Sequence, residues 1–176
     1  LSPCHLVTYT PPMKLGLLSD THGWLDPALH EWFRDVEMIL HAGDVGREAV
    51  LEELRGIAPT VAVRGNVDGG AWARELPLQT VATIGGSKIA LLHIGGTPKK
   101  PGLEARALIK REQPDILLVG HSHIAVVERR QGVLWINPGA AGRQGLHSER
   151  TAMLLHLGAK QHIDVITLGP RGRSWS

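Results

Sequence analysis

The sequence predicts an α/β sandwich of more than two layers, and three observations carry that expectation. Strand-like and helix-like patterns alternate over the first half of the chain, and strand pairs joined by glycine turns fill much of the second. Polar residues or glycine follow directly on several apolar runs. Alternation of the first kind indicates parallel crossover units, whose sites form at the carboxyl ends of the strands. One open parallel sheet accounts less well for the antiparallel half, so two sheets packed face to face, with helices outside, are expected.

Each element has its own signal. Lys14 to Leu18 is a short apolar run ending in Ser19-Asp20, as a buried strand ends when it delivers polar groups at its carboxyl end. Asp26-Pro27 supplies an N-cap and a first-turn proline, and Leu29, Trp32, Phe33 and Val36 recur at helical spacing. Met38 to Leu40 is a second strand, followed by His41-Ala42-Gly43-Asp44, and Arg47 to Arg55 is helical with Gly56 as its stop. Thr60 to Val63 is a third strand, running into Arg64-Gly65-Asn66. Gln79 to Ile84 and Ser87 to His93 flank Gly85-Gly86, a two-residue hairpin turn. A helix is expected over Pro101 to Glu112 and a buried strand over Ile116 to Val119. Hairpins follow around Gln131-Gly132 and Gly158, the second joining Thr151 to Leu157 with Ile163 to Leu168.

At 176 residues the chain suits one domain, read here as 13–169, with flexible tails at 1–12 and 170–176. Met13 reads as the natural start, and the first twelve residues lack the basic opening and apolar run of a signal peptide. No stretch approaches the roughly 20 apolar residues of a membrane span. The single cysteine, Cys4, excludes an internal disulfide and a cysteine zinc knuckle, which fits a reducing, cytoplasmic setting. The net charge of +2 is dispersed, so neither nucleic acid nor an anionic membrane is indicated as a partner, and no aromatic platform supports a nuclease. A homo-oligomer remains compatible with an exposed hairpin.

Ten histidines are the unusual feature, and their placement gives them meaning. Five strand ends carry Asp20-x-His22, Gly43-Asp44, Gly65-Asn66-x-Asp68, His93 and Gly120-His121-x-His123. Carboxylate, amide and imidazole donors suit borderline divalent metals such as manganese, iron, cobalt, nickel or zinc. Two ligands one residue apart reach the same ion only from extended or looped backbone, and both such pairs follow strands. Seven ligands exceed what one open ion needs but suit two ions sharing a carboxylate, roughly 3.5–4 Å apart. Taken singly, any of these residues is as readily a turn or packing residue; five motifs together are not.

With these motifs in this order, and with the Asn137-Pro138-Gly139 turn, the chain resembles the calcineurin-like metallophosphoesterases, within them the small phosphodiesterases of the YfcE type, from about Met13 to Leu168. The resemblance implies a four-layer α/β/β/α sandwich of two mixed sheets. It also implies a two-metal site: Asp20, His22 and His123 on one ion, Asn66, His93 and His121 on the other, and Asp44 bridging. The implied reaction is in-line attack on a small phosphate ester by a metal-bridging hydroxide, a diester more than a monoester, with manganese the first choice of metal. Asn66 and Asp44 would touch the reacting groups. Where many relatives carry a proton-donating histidine after the asparagine, this chain has Val67; Asp68 is a conceivable substitute donor or support for the site, although structural capping is the commoner role for such a residue. A second departure is Gly95, where many relatives place another histidine.

Other residues are set aside on balance. His41 reads as a satisfied structural histidine before a supporting partner of the centre. Arg47, Arg64 and Arg143 read as solvated arginines before phosphate ligands, and Trp24 as packing or as a border of the mouth. His5, His30, His147, His156 and His162 have no partner at ligand spacing. The competing class is a non-catalytic metal-binding or protein-binding scaffold on the same fold, which has no evident need for seven ligands.

Overall fold

The computed structural model describes residues 12–172. The expected tails lie outside the described residues at 1–11 and 173–176. Strands β1 (Met13–Leu18), β2 (Met38–His41) and β3 (Thr60–Ala62) alternate with helices α1 (Ala28–Trp32) and α2 (Glu48–Ile57). A short α3 (Gly70–Arg74) leads to the hairpin β4 (Gln79–Ile84) and β5 (Ser87–Leu92), then α4 (Leu103–Glu112) and β6 (Ile116–Leu118). Two further strand pairs close the chain: β7 (Ala125–Arg130) with β8 (Val133–Pro138), and β9 (Glu149–Leu157) with β10 (His162–Pro170).

Two five-stranded sheets result, ordered β10-β9-β1-β2-β3 and β4-β5-β6-β8-β7. In the first, β1, β2 and β3 are parallel and the last hairpin returns antiparallel onto β1. In the second, β5, β6 and β8 are also parallel, with β4 and β7 as antiparallel rims. The half read as antiparallel thus has a parallel centre. Hairpin signals report only neighbours in sequence, whereas short runs such as Ile116–Leu118, buried throughout, take their partners from across the sheet.

Three cores define the layers. Leu15, Leu17, Met153 and Leu155 of the first sheet meet Ile89, Leu91, Leu118 and Ile136 of the second, so apolar side chains seal the sheets together. The outer face of the first sheet is covered by Phe33, Val50, Leu51 and Leu54 from the α1 and α2 region. Ala105 and Leu108 of α4 cover the outer face of the second, against Ala90, Leu117 and Trp135. The arrangement is α/β/β/α, and no described helix is long and apolar enough to cross a membrane.

Two local expectations need correction. The first helix stops at Trp32, which is half exposed, and Phe33 and Val36 reach the core from turns, because β2 begins only two residues after Val36. Asp26 still caps, accepting the Ala28 N–H at 2.9 Å. At the other end, Pro170 belongs to β10 and pairs with Glu149, and the Arg171 N–H donates to the Ser148 carbonyl. The tail therefore begins later than the sequence suggested, because the β9 ladder continues past Leu168.

Candidate metal centre

All seven predicted donors gather where strands of both sheets end. Five of them, Asp20, His22, Asp44, His121 and His123, hold positive φ between 49° and 68°. Non-glycine residues rarely adopt this region, and its cost is tolerated where the surrounding structure over-determines a functional geometry. Close approach of the loops adds a second constraint. A Cβ on Gly65 would collide with the Asp44 backbone, and one on Gly120 with the Ser19 side chain, so glycine is required at both places.

The donors form two triads, Asp20 with His22 and His123, and Asp44 with His93 and His121, the ligand atoms of each within 4.8 Å of one another. Asp44 Oδ2 lies 3.2 Å from His93 Nε2 and 4.0 Å from His22 Nε2, so one carboxylate oxygen faces both triads. Asn66 Oδ1 is 3.1 Å from His93 Nε2 and joins the second. Each aspartate spends its other oxygen on backbone. Asp20 Oδ2 accepts the His121 N–H and Asp44 Oδ1 the Val67 N–H, both at 3.0 Å, which aims the remaining oxygens inward.

Hydrogen bonds behind the imidazoles set their tautomers. His93 Nδ1–H donates to the Ala42 carbonyl at 2.7 Å, leaving Nε2 for the pocket. His147 Nε2–H donates to the Gly142 carbonyl, so its Nδ1 accepts from His123 Nδ1–H at 3.1 Å, and His123 Nε2 is bare. That lone pair then faces Asp20 Oδ1 at 3.1 Å and His22 Nε2 at 3.3 Å. Asp20 Oδ1 is fully buried and has no hydrogen-bond partner among the described residues. Acceptors turned on one another in a buried site need positive charge between them, and this oxygen and nitrogen donor set fits divalent cations.

The proton affinities carry the same message. Burial pushes the His93 imidazole down, but its hydrogen bond to Asp44 and the charges of Asp20 and Asp44 outweigh this and raise its pKa. Burial pushes Asp44 up, yet His93, the Val67 N–H and His22 together hold it below the usual carboxylate value. At His22 burial prevails over the attraction of Asp20 and Asp44, and the pKa falls. Burial also lowers His147.

Several other side chains around the centre have definite partners. Asp68 Oδ1 accepts the Gly46 N–H at 2.7 Å and Oδ2 the Gly65 N–H at 2.8 Å, so it braces two loops, the structural capping that the sequence reading favoured for it. His147 was missed, because it lies 24 residues from His123 and meets it only through the loop beyond Gly142. The one sequence signal was its place shortly after the Asn137-Pro138-Gly139 turn. Asn137 itself is buried and ties down Gly120 and Ser122. His41 is structural: the Gly43 N–H donates to its Nδ1, and its Nε2–H donates to Thr21 Oγ1, which donates to the Val45 carbonyl. Burial lowers its pKa to about 4.

The guanidinium of Arg143 sits 3.8 Å from the Trp24 ring centroid and that of Arg150 at 4.9 Å, which occupies Trp24 and Arg143 with each other. Away from the centre, His30 bonds Glu53, and His156 bonds Asp164 and stacks on His162 at 4.0 Å, fastening the edge strand β10 to β9. His5 lies outside the described residues.

Two cavities flank the triads. One of about 440 Å³ is bounded by His121, His123, Ile124, Leu146 and His147. The other, about 210 Å³, is bounded by Arg64, Asn66, His93, Ile94 and Glu104.

Comparison with known proteins agrees with this architecture. Residues 13–160 match the calcineurin-like phosphoesterase superfamily domain. A probable metallophosphoesterase of Methanothermobacter thermautotrophicus is 30% identical over 162 residues, 89% of this chain and 94% of the relative. The structure of an archaeal phosphodiesterase superposes with a TM-score of 0.71 at 28% identity, covering 88% of this chain and 99% of that one. Vacuolar Protein Sorting 29 from Cryptosporidium parvum shares the fold, with a TM-score of 0.72 at 21% identity over 90% and 98% of the two chains. The chain belongs to the calcineurin-like phosphoesterase superfamily.

Proposed function

We propose that the protein is a two-cation phosphoesterase acting on phosphodiesters. The observation that carries this reading is Asp44 Oδ2 facing both triads, with the orphaned Asp20 Oδ1 beside it. Asp20, His22 and His123 would hold one cation, Asn66, His93 and His121 the other, and Asp44 both. When bound, such cations supply Lewis-acid neutralisation of phosphoryl charge and lower the pKa of water. Manganese is the first choice, with iron, nickel, cobalt and zinc also suited to these donors. The working compartment is the cytoplasm and the working unit one domain, read from the sequence as 13–169 and extended by β10 to Pro170.

The chain's own groups position and orient. His147 holds the His123 ring so that Nε2 stays bare, and Ala42 does the same for His93. The Asn66 amide, beside His93 at an exposed position, is placed to donate to a phosphoryl oxygen. Cavities on both sides of the triads give a phosphorus atom room for two ester arms, which favours a diester over a monoester. Val67 offers no proton, and Asp68 is committed to backbone, so the departing oxygen leaves without acid help from either. General acid assistance is worth about 10²–10⁴-fold, and esters of acidic alcohols should therefore be preferred. Likeness to Vacuolar Protein Sorting 29 favours a scaffold only at the level of fold, and the complete donor set argues for chemistry.

Hydrolysis of bis(4-nitrophenyl) phosphate tests the proposal. Chelated protein should be inactive, added manganese should restore the rate, and Asp44→Asn should lower kcat at least about 10²-fold. Metal-independent turnover, or an unaffected Asp44→Asn variant, contradicts it.

A further inference from the structure

The rim of the centre is unexpectedly apolar. Val67 follows Asn66, Ile94 follows His93, Ile124 follows His123 and Leu146 precedes His147. They are 52%, 47%, 64% and fully exposed, respectively. Single exposed aliphatic residues need no explanation, but these come from four separate loops that meet around one site.

The two cavities differ in kind. Arg64 and Glu104 place charges around the smaller one. Around the larger, Ile124 and Leu146 share the lining with the imidazoles of His121, His123 and His147, and among the described residues that lining offers no lysine, arginine or carboxylate. Its remaining polar side chain, Ser122, already accepts from the Asn137 amide and the Ile124 N–H, so the lining is poorly suited to a second phosphate or a desolvated sugar. An apolar cavity of ~150 Å³ is enough to hold benzene, so about 440 Å³ leaves ample space for an alkyl or aryl group.

Resting on the phosphodiesterase reading, we infer that the substrate is an asymmetric phosphodiester. Its apolar arm, the one retained on phosphorus, lies against Ile124 and Leu146, and its departing arm points toward Arg64. The loss of acid help at Val67, beside the cavity of Arg64 and Asn66, fits an aryl alcohol as the departing arm, since such an alcohol departs without a proton. In hydrolysis the oxygen of water forms the new bond to phosphorus. The bond to the departing oxygen breaks with its electron pair, and the proton from water passes to solvent.

The test is a series of 4-nitrophenyl alkyl phosphates, from methyl to hexyl, with the manganese-loaded protein. The departing group is constant and only the other arm grows. Full burial of a methylene is worth about fourfold in affinity, and an open cavity about half of that, so kcat/KM should rise about twofold per carbon over the first four carbons, through KM. Ile124→Ser with Leu146→Ser should flatten the series while two cations still bind. A flat or falling series in an active enzyme overturns the inference and spares the phosphodiesterase reading, as does a rise that the double variant leaves intact. Failure to hydrolyse any member overturns both.

Discussion

The candidate donors could be picked out of the sequence because their spacing is short. Asp20-x-His22 and Gly120-His121-x-His123 announce themselves within three or four positions, directly after apolar runs. Contacts set by loop folding were not legible. His147 belongs to the centre only through its hydrogen bond to His123, and Asp68 sits among donors yet serves backbone. A group that orients a ligand acts on affinity before it acts on rate, and outer partners of ligating histidines typically contribute 10–100-fold in metal affinity. His147→Ala should therefore weaken binding of the second manganese equivalent about 10–100-fold by calorimetry. His147→Gln, which can accept from His123 and donate to Gly142, should recover most of it. Equal affinity in His147→Ala, or no recovery by glutamine, would reduce His147 to packing.

Elements are read well where periodicity is local and poorly where partners are remote. The turns at Gly85-Gly86 and Gln131-Gly132 were visible in the residues that form them. The parallel centre of the second sheet was not, nor was the five-residue α3, which is too short to show a repeat. Between elements, His41 at the end of β2 fastens the loop after β1 through Thr21. This lock works with a neutral ring, kept so by burial against the opposing pull of Asp68, Asp20 and Asp44, with His93 acting alongside burial. Its folded pKa of about 4 lies below the ordinary ~6.5, so the unfolded chain binds more protons between these values. The stability it contributes is complete above about pH 6.5 and is lost as pH falls toward 4, on the order of 3 kcal/mol in all. Urea unfolding of cation-free protein at pH 7 and pH 4.5 should show a smaller difference for His41→Gln than for the parent. Identical differences would remove His41 from the account.

For the molecule as a whole, each sheet supplies part of one centre. Asp20 and Asp44 follow strands of the first sheet, while His93, His121 and His123 follow strands of the second. Each triad draws on both sheets, so the apolar seal between the sheets also holds the donors of each triad together. Strand ends in the sequence revealed the donors but not this division, since which strands share a sheet depends on pairings far apart in the chain. The central claim is that one carboxylate, Asp44, joins two cations. Electron paramagnetic resonance of the manganese-reconstituted protein, with metal content measured on the same sample, tests it most directly. Two manganese ions per chain giving an exchange-coupled spectrum, replaced by uncoupled ions in Asp44→Asn, is the predicted result. One manganese per chain, or two with the isolated six-line pattern in the parent protein, would contradict it.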